Sequence, residues 1–386
     1  MFNRLSEFFM RKYLYLLLLP IIVYTSVQAR PQYTQFTGNK CMNCHVNPNG
    51  GGLRSELGWY SNHEVGLIPF KDTPLNELYK LTESNQLADG LFTVGADVRI
   101  QSIERPNSNN EMERETFLMQ ASPYISVSPF QWMAINAHYN FSDEKYPSQS
   151  DYTAEILLTP GNYLYPYVRA GMIKPSIGLL YDDHTILSRS NTILVPDYAE
   201  PGVEVGYEGF KYMSLTAGAY KTQNLGDGTG GRIAGEDDIA GLLRVAFVPQ
   251  FFEYTLTTNI GSSVFMLEDY YLVNSFIGLG WKDKLSFIAE YSFSEKSDFQ
   301  KTNNITAEAV YQILSSLHFT ARYEKGTSEQ IRSNFEFEME RLLAGLHIYL
   351  LPGIEIRPEY RLLRTGQPGD LGDFEDQFAF QLHLYY

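Results

Sequence analysis

A regular succession of strand-like segments is the feature that most constrains the fold of this 386-residue chain. From Leu91 onward, apolar and polar residues alternate with a period of two, as in the segment FTVGADVRIQ at 92–101. This alternation is typical of antiparallel strands that have one apolar and one polar face. The pattern predicts sixteen strands, at 91–102, 115–127, 132–141, 151–158, 163–173, 202–208, 212–221, 238–248, 252–264, 269–281, 285–293, 304–313, 317–325, 335–349, 354–363 and 374–386.

The connections between these segments are of two kinds. Tight turns follow the even-numbered segments, at 128–131, 159–162, 208–211, 248–251, 282–284, 314–316 and 351–353. Longer polar connections follow most odd-numbered ones, at 103–114, 142–150, 174–201, 222–237 and 294–303, with a shorter one at 265–268. Outer-membrane barrels combine short periplasmic turns with longer external loops, whereas a soluble sandwich has no reason to segregate them. We therefore predict an all-β fold, a 16-stranded antiparallel outer-membrane β-barrel over residues 91–386, located in the Gram-negative outer membrane.

The composition and the end of the chain agree with this interpretation. The 28 tyrosines and 24 phenylalanines suit lipid-facing strands and interfacial girdles, and the closing segment FAFQLHLYY at 378–386 ends in aromatic residues. A mean hydropathy of −0.24 excludes a helical multi-span membrane protein, and 44% hydrophobic residues exclude disorder. Two cysteines cannot form a disulfide framework. The net charge of −15 argues against nucleic acid as a partner.

The first 29 residues are predicted to form a signal peptide. Arg4, Arg11 and Lys12 make a basic start, the apolar stretch YLYLLLLPIIVY follows at 13–24, and the small-residue cleavage site is VQA at 27–29. The apolar stretch is too short to span the ~30 Å hydrocarbon core as a helix. Cleavage would remove three basic residues and one acidic residue, which leaves a mature chain near −17. The protein is therefore expected to be exported.

One motif predicts a specific cofactor. The sequence Cys41-Met42-Asn43-Cys44-His45 has the C-x-x-C-H spacing of c-type haem attachment. Two thiols three positions apart can add to the two vinyl groups of one porphyrin, and the next histidine can ligate the iron. A structural zinc site would need four ligands, and a thioredoxin-like redox pair is the remaining alternative. We predict one covalent haem c, held through thioether bonds by Cys41 and Cys44, with His45 as the proximal iron ligand.

The sixth iron position has several candidates. His63 follows His45 by eighteen residues and is the best single candidate for the distal ligand. The alternatives are a group from the barrel, namely His138, His184 or Met172, or a five-coordinate iron.

Residues on either side of the motif are expected to shape the haem site. The glycine-rich segment VNPNGGGL at 46–53 cannot form a regular helix or strand, and either lies close against a porphyrin or is a flexible turn. A short helix at 54–60 would then offer Leu57, Trp59 and Tyr60 as cover. Inside the barrel, the inward-facing groups are expected to include charged side chains that solvate the lumen or pair with haem propionates: Arg99, His138, Arg169 and Arg322.

The C-x-x-C-H motif and the predicted barrel occur in one chain. In this combination the chain resembles the fused outer-membrane monohaem cytochrome c–porin family of the iron-oxidising type. The resemblance rests on ARPQYTQFTGNKCMNCHVNP at 29–48 and on the barrel behind it. The segment RAGMIKPSIGLLYDDHTILSR at 169–189 also resembles a strand-and-loop element of phosphate-selective porins. The resemblance implies that residues 30–90 form a monohaem cytochrome c segment that plugs the lumen of the barrel formed by 91–386.

The resemblance also implies a function. Such a protein would pass single electrons between an extracellular donor or acceptor, for example Fe(II), and a periplasmic c-type cytochrome or other electron carrier. The acidic loops at 232–238 and 368–376 would attract metal cations or are ordinary solvated loops. Two other readings remain open: a diffusion porin with a haem-bearing plug, and a haem peroxidase-like protein with five-coordinate iron. The expected surroundings are outer-membrane lipid.

Overall fold

The structure is a computed structural model, described for residues 31–63, 65–69, 72–74, 84–106, 111–142, 152–159, 166–181, 183, 185–192, 194, 198–222, 238–252 and 255–386. The predicted signal peptide at 1–29 lies outside these residues, as do His184 and all but the last residue of the acidic loop 232–238. Over the described residues, no helix has the length and apolar character needed to cross a membrane.

Sixteen antiparallel strands form a closed barrel in the described part of the chain. Each strand pairs with its neighbours in sequence, and the last strand pairs with the first, from Phe378 opposite Glu104 to Tyr385 opposite Asp97. Three two-residue strands, at Gln86–Leu87, Gln250–Phe251 and Asp370–Leu371, extend the sheet locally. The barrel strands are β1 Phe92–Pro106, β2 Met112–Phe130, β3 Met133–Tyr139, β4 Tyr152–Leu158, β5 Pro166–Ile173, β6 Glu200–Tyr207, β7 Met213–Lys221, β8 Ile239–Phe247, β9 Leu256–Leu267, β10 Tyr270–Trp281, β11 Leu285–Lys296, β12 Gln300–Leu314, β13 Leu317–Gln330, β14 Phe335–Leu351, β15 Ile354–Gln367 and β16 Glu375–Tyr385.

All sixteen predicted strands are confirmed, but several extend further than the sequence indicated. The connection predicted at 294–303 is mostly strand, because β11 continues to Lys296 and β12 begins at Gln300. The connection predicted at 103–114 is likewise shortened by the ends of β1 and β2. These strand ends are polar on both faces, so the period-two pattern stops while backbone pairing continues. The alternation of short and long connections is therefore weaker in the second half of the barrel than predicted.

The two faces of the barrel have opposite chemical character. Large apolar side chains point outward, as Ile277, Leu279 and Trp281 on β10 illustrate with exposures of 38%, 37% and 47%. The inner face carries polar side chains that are nearly inaccessible, such as Thr302 and Asn304 on β12. A polar lumen inside an apolar outer surface is the arrangement of a barrel surrounded by lipid. The predicted inward positions of Arg99, Arg169 and Arg322 are confirmed by their burial, and His138 lines a cavity of the lumen.

The N-terminal segment lies inside the barrel. Its described residues contain three short helices, α1 Pro31–Thr37, α2 Cys41–Cys44 and α3 Glu56–His63. Helix α1 packs on the inner face of β9, β10 and β11, where Tyr33 and Phe36 are buried with Val310. The hydroxyl oxygens of Tyr33 and Tyr349 are 2.6 Å apart. These contacts lie toward the barrel end that carries the tight turns and the C-terminus, which faces the periplasm in outer-membrane barrels.

The connection between β5 and β6 folds into the lumen instead of extending outward. Its short helix α4, Leu187–Ser190, packs against β11, β12 and β13 on the opposite wall. Apolar residues of this connection join a buried cluster with inward-facing side chains of β7 to β10: Ile173, Ile177, Leu194, Tyr198, Tyr220, Ala240, Leu242, Phe265, Leu267, Tyr270 and Leu272. The sequence predicted only a long polar external loop at 174–201. The buried apolar residues within that stretch are the physical reason why it folds inward.

Candidate functional site

The C-x-x-C-H motif is held in a compact local structure. Cys41 and Cys44 occupy one turn of helix α2, and the amide of His45 donates to the carbonyl of Cys41 at 3.0 Å. The amide of Ser55 donates to the carbonyl of Cys44, also at 3.0 Å, which ties the motif to the start of α3. Neither cysteine is in a disulfide. The two thiols and the histidine are therefore presented from one rigid turn.

A glycine allows the following segment to return close to the motif. Gly50 has a φ of +90°, in the region that L side chains rarely adopt. A Cβ at this position would lie 3.3 Å from the Cβ of Cys41 and 3.4 Å from its Sγ. The segment 46–53 thus returns to the thiols at Gly50, and its predicted approach to a porphyrin stays a prediction.

Several polar contacts fix the motif to the barrel. The ammonium group of Lys40 lies 3.0 Å from a carboxylate oxygen of Glu208, in the turn after β6. Burial raises the pKa of Glu208, which Lys40 opposes. The guanidinium of Arg169 donates to the side-chain oxygen of Asn47 at 3.3 Å. These bonds attach the segment around the motif to two places on the wall.

Arg169 is itself held by carboxylates of the lumen wall. Its Nη2 lies 2.7 Å from Oε2 of Glu204, and its Nη1 lies 3.4 Å from Oε2 of Glu155. Arg169 and Glu204 are both almost completely buried. The arginine predicted to solvate the lumen or to pair with a propionate is therefore a structural link between the wall and the motif's segment.

A cavity of about 550 Å³ faces the motif. It is bordered by the motif and α1 on one side, by the inward connection through Leu179 and Leu180, and by Arg244 and Asn259 on the barrel wall. Two further cavities, of about 910 Å³ and about 620 Å³, lie deeper along the wall.

Burial raises the pKa values of both thiols. Burial raises the pKa of Cys44 to about 11, with a further contribution from Cys41. Burial also raises the pKa of Cys41, which the charge of Arg244 opposes. Thioredoxin-like pairs depend on a lowered thiol pKa, so the site does not favour that alternative. Among the described residues, no group of three or more His, Cys, Asp or Glu side chains could hold a metal ion.

The structure places the candidates for the sixth iron ligand at different positions, and not all of them face the lumen. His63 is the last residue of α3, and its side chain lies outside the described part, so its role stays a prediction. His138 lies on the wall of the 910 Å³ cavity, 2.5 Å from the hydroxyl of Thr153. Met172 lies on the same face of β5 as Val168 and Ala170, opposite the buried Arg169, so its side chain points away from the lumen.

The cover predicted from the helix at 54–60 is only partly present. The helix exists, shifted slightly to Glu56–His63, and Trp59 is buried against Tyr386 at the end of the chain, with ring centroids 6.0 Å apart. Leu57 and Tyr60 are exposed by 55% and 49%, so they do not cover an internal site. Trp59 instead helps to attach α3 to the last barrel strand.

Sequence reasoning missed two residues of the site, Arg244 and Asn259. Both belong to strands predicted correctly, and Arg244 is the only charged residue in the β8 sequence IAGLLRVAF. A lone charge within an apolar strand was the available signal. Its proximity to the cysteines could not be predicted, because it depends on how the N-terminal segment is placed in the lumen.

One ion pair anchors the inward connection and gives it a pH dependence. Asp183 pairs with Arg322 on β13, and Thr185 donates to the same carboxylate through its amide and hydroxyl. Burial alone would raise the pKa of Asp183, but Arg322, Arg361 and Arg341 overcome it and hold the pKa well below its usual range. The ionised carboxylate therefore stabilises the docked connection above its unfolded pKa of about 3.9, and this contribution is lost as pH falls through the lower folded value.

We expect the protection of residues 185–192 against hydrogen exchange, relative to intrinsic exchange at the same pH, to be constant from neutral pH down to about pH 4 and to fall in stronger acid, which accelerates exchange relative to the intrinsic rate. Asp183→Asn should accelerate it already at neutral pH. Asp298→Asn, in the exposed turn after β11, is the matched control and should have no effect. Equal exchange in the Asp183 variant and the wild type would contradict the anchoring role.

Comparison with known proteins was made at the level of sequence and of structure. No family model and no curated protein matches the chain. Solved structures do match. They include the OmpTdeltaL8 mutant of OmpT from Vibrio cholerae, at 10% identity and a TM-score of 0.53, covering 76% of this chain and 99% of that one. The outer membrane channel DcaP of Acinetobacter baumannii matches at 12% identity and a TM-score of 0.54, covering 76% and 97%.

OprB of Pseudomonas putida is similar to the same extent, at 9% identity and a TM-score of 0.55, covering 77% of this chain and 95% of that one. The fold is that of a porin-like outer-membrane barrel. At these identities the likeness concerns the fold alone. Together with the apolar outer face, it assigns the protein to the outer membrane of Gram-negative bacteria.

Proposed function

We propose that the protein is an outer-membrane electron conduit, a barrel fused to a monohaem cytochrome c segment. It would pass single electrons between an extracellular donor or acceptor, Fe(II) being one candidate, and a periplasmic cytochrome or other electron carrier. The observation that carries the proposal is the C-x-x-C-H motif, held inside the lumen on one turn and facing a cavity of about 550 Å³.

The residues present fit one covalent haem c. Cys41 and Cys44 would hold the porphyrin through thioether bonds, and His45, which directly follows the turn, would ligate the iron. Gly50 returns close to Cys41 and itself places no side chain against the Cys41 sulfur. When bound, the haem iron would supply a one-electron redox couple. We retain His63 as the proposed distal ligand.

The chain's own contacts would orient the group and limit its access to water. Lys40 and Asn47 fix the motif to the wall, and the inward connection lies over the cavity through Leu179 and Leu180. The N-terminal segment packs toward the barrel end that carries the tight turns. This location supports electron transfer to a periplasmic carrier at that mouth. A single porphyrin is much smaller than the ~30 Å apolar slab, so a second redox partner would have to enter from the external mouth. The exposed acidic loop 368–376 supports the attraction of cationic donors there.

A second candidate function, a diffusion porin with a haem-bearing plug, is favoured by a different observation. Cavities of about 910 Å³ and 620 Å³ remain inside the lumen beside the plug. One structural relative is also described as a channel. In this alternative the N-terminal segment would regulate or restrict solute passage, and the haem would serve another purpose.

Reconstitution in liposomes separates the two functions. We expect the wild-type protein to transfer electrons between an external donor and an enclosed, membrane-impermeant cytochrome c, with little swelling of the liposomes in small sugars. The matched control is the variant with both Cys41 and Cys44 replaced by serine, which should transfer none. Rapid solute entry without electron transfer would contradict the conduit and support the porin.

A further inference from the structure

Arg244 differs from several other arginines of the lumen. It projects from β8 and borders the cavity that faces Cys41, Cys44 and His45. Its guanidinium lies 5.5 Å from the ring centroid of Phe276, which supports it from one side. Within the described residues it makes no hydrogen bond and no ion pair, although it lies within electrostatic range of Glu208 and Cys41.

Five inward-facing arginines elsewhere in the lumen have carboxylate partners. Arg169 pairs with Glu204, Arg322 with Asp183, and Arg341 with Glu324. Arg357 and Arg361 pair with Glu355 and Glu359 on their own strand. A buried or half-buried guanidinium normally acquires such a partner, because burying an unpaired charge is unfavourable. In the described structure, Arg244 therefore lacks the carboxylate partner that these five arginines have.

A second residue of the same cavity has an unsatisfied polar group. Asn259 on β9 is 7% exposed, and its side-chain oxygen has no hydrogen-bond partner in the described structure. The assignment of oxygen and nitrogen in such an amide is interchangeable, so this position can equally present an N–H donor. β8 and β9 are neighbours in the sheet, and both side chains border the cavity of the C-x-x-C-H motif.

We infer that Arg244 and Asn259 form the binding site for a carboxylate of the bound cofactor, a propionate of the haem. Guanidinium groups bind carboxylates through two parallel hydrogen bonds, and an amide N–H supplies a further donor. The inference rests on the proposed function, because it requires a porphyrin attached to Cys41 and Cys44. It assigns the orientation of that porphyrin: its propionate edge faces β8 and β9.

This site has a consequence for the redox equilibrium. A cation beside the haem disfavours the ferric state, which carries one more positive charge than the ferrous state. Replacement of Arg244 by glutamine should therefore lower the midpoint potential. At the effective dielectric of a protein interior, a full positive charge near the haem changes the ferric-to-ferrous ratio at a fixed applied potential by roughly tenfold. Arg244 is thus a positioning residue for the cofactor.

The test is a spectroelectrochemical titration of the purified full-length protein over a range of pH. We expect R244Q to have the lowest potential, R244K to retain part of the wild-type value, and N259L to show a smaller decrease. R364Q is the matched control, because Arg364 also lies over a phenylalanine ring, that of Phe374, on the outer part of the barrel. It should titrate as the wild type does.

The pH dependence identifies the carboxylate. In the wild type the paired propionate stays ionised near neutral pH, so the potential changes little with pH. In R244Q its pKa is no longer held down by a cation, and the potential should fall as pH rises through the titration of that group. A purely structural role of Arg244 would not introduce this dependence.

The outcomes separate the two proposals. Potentials and pH profiles that coincide in the wild type, R244Q and N259L would overturn the propionate site and leave the conduit standing. A wild-type protein without covalent haem would overturn the proposed function and this inference with it. If R244Q fails to fold, R244K and N259L still decide, since a wild-type potential in both also overturns the site.

Discussion

Replacement of both Cys41 and Cys44 by serine is expected to abolish covalent haem, leaving none detectable by peroxidase staining after denaturing electrophoresis. A serine hydroxyl cannot form the thioether bond, and the described structure contains no other cysteine that could substitute. Each single serine variant should lose most of the attached haem, because attachment at the C-x-x-C-H motif uses both thiols. The measurement is the haem content per protein, from the pyridine haemochrome spectrum.

The barrel itself should survive these substitutions. Its strands pair with one another around the full circumference, so their hydrogen bonds do not depend on the two thiols. Heat-modifiable mobility on gels, the usual sign of a folded barrel, should therefore be retained. Met42→Leu is the matched control in the same turn and should keep wild-type haem content. Covalent haem in the double serine variant, or its absence from the wild type, would contradict the predicted cofactor.

The barrel could be predicted from sequence because its strands carry a local signal. Alternation such as that of β10, with Ile277 and Leu279 facing outward and Gly278 and Gly280 facing inward, needs no information about distant residues. The prediction failed where that signal ends. Around Lys296 and Gln300 both faces are polar, so the sequence resembles a loop although the strands remain paired. The ends of a strand cannot be predicted from the sequence where its two faces no longer differ in polarity.

The candidate site was predictable only in its covalent part. The spacing of Cys41, Cys44 and His45 is a property of five adjacent residues and is independent of the fold. The contribution of Arg244 depends on which strands surround the motif, and the inward course of the connection after β5 depends on contacts such as Asp183 with Arg322. These contacts join residues far apart in the chain. A single sequence therefore indicates the chemistry of the site but not the wall that surrounds it.

Gly280→Leu is expected to displace the plug and raise the conductance of the barrel. Gly280 lies on the inner face of β10, where α1 packs directly on the sheet. A Cβ at this position would overlap the carbonyl oxygen of Gln35 and the hydroxyl of Thr257, so the helix cannot remain docked. Overpacking of this kind costs about 1–3 kcal/mol or more, which α1 can avoid by moving away. Single-channel recordings in planar bilayers should show a conductance several times that of the wild type.

Gly241→Leu tests whether the effect is specific to the docking surface. Gly241 lies on β8, and a Cβ there would meet nothing within 4 Å, so leucine should be accepted without movement of α1 and with wild-type conductance. Gly280→Ala should give an intermediate result, because it adds the overlapping atom with less bulk. If Gly280→Leu folds normally but conducts no more than Gly241→Leu, α1 is not what closes the lumen. The inward connection between β5 and β6 would then be the barrier, since it crosses the lumen independently of the plug.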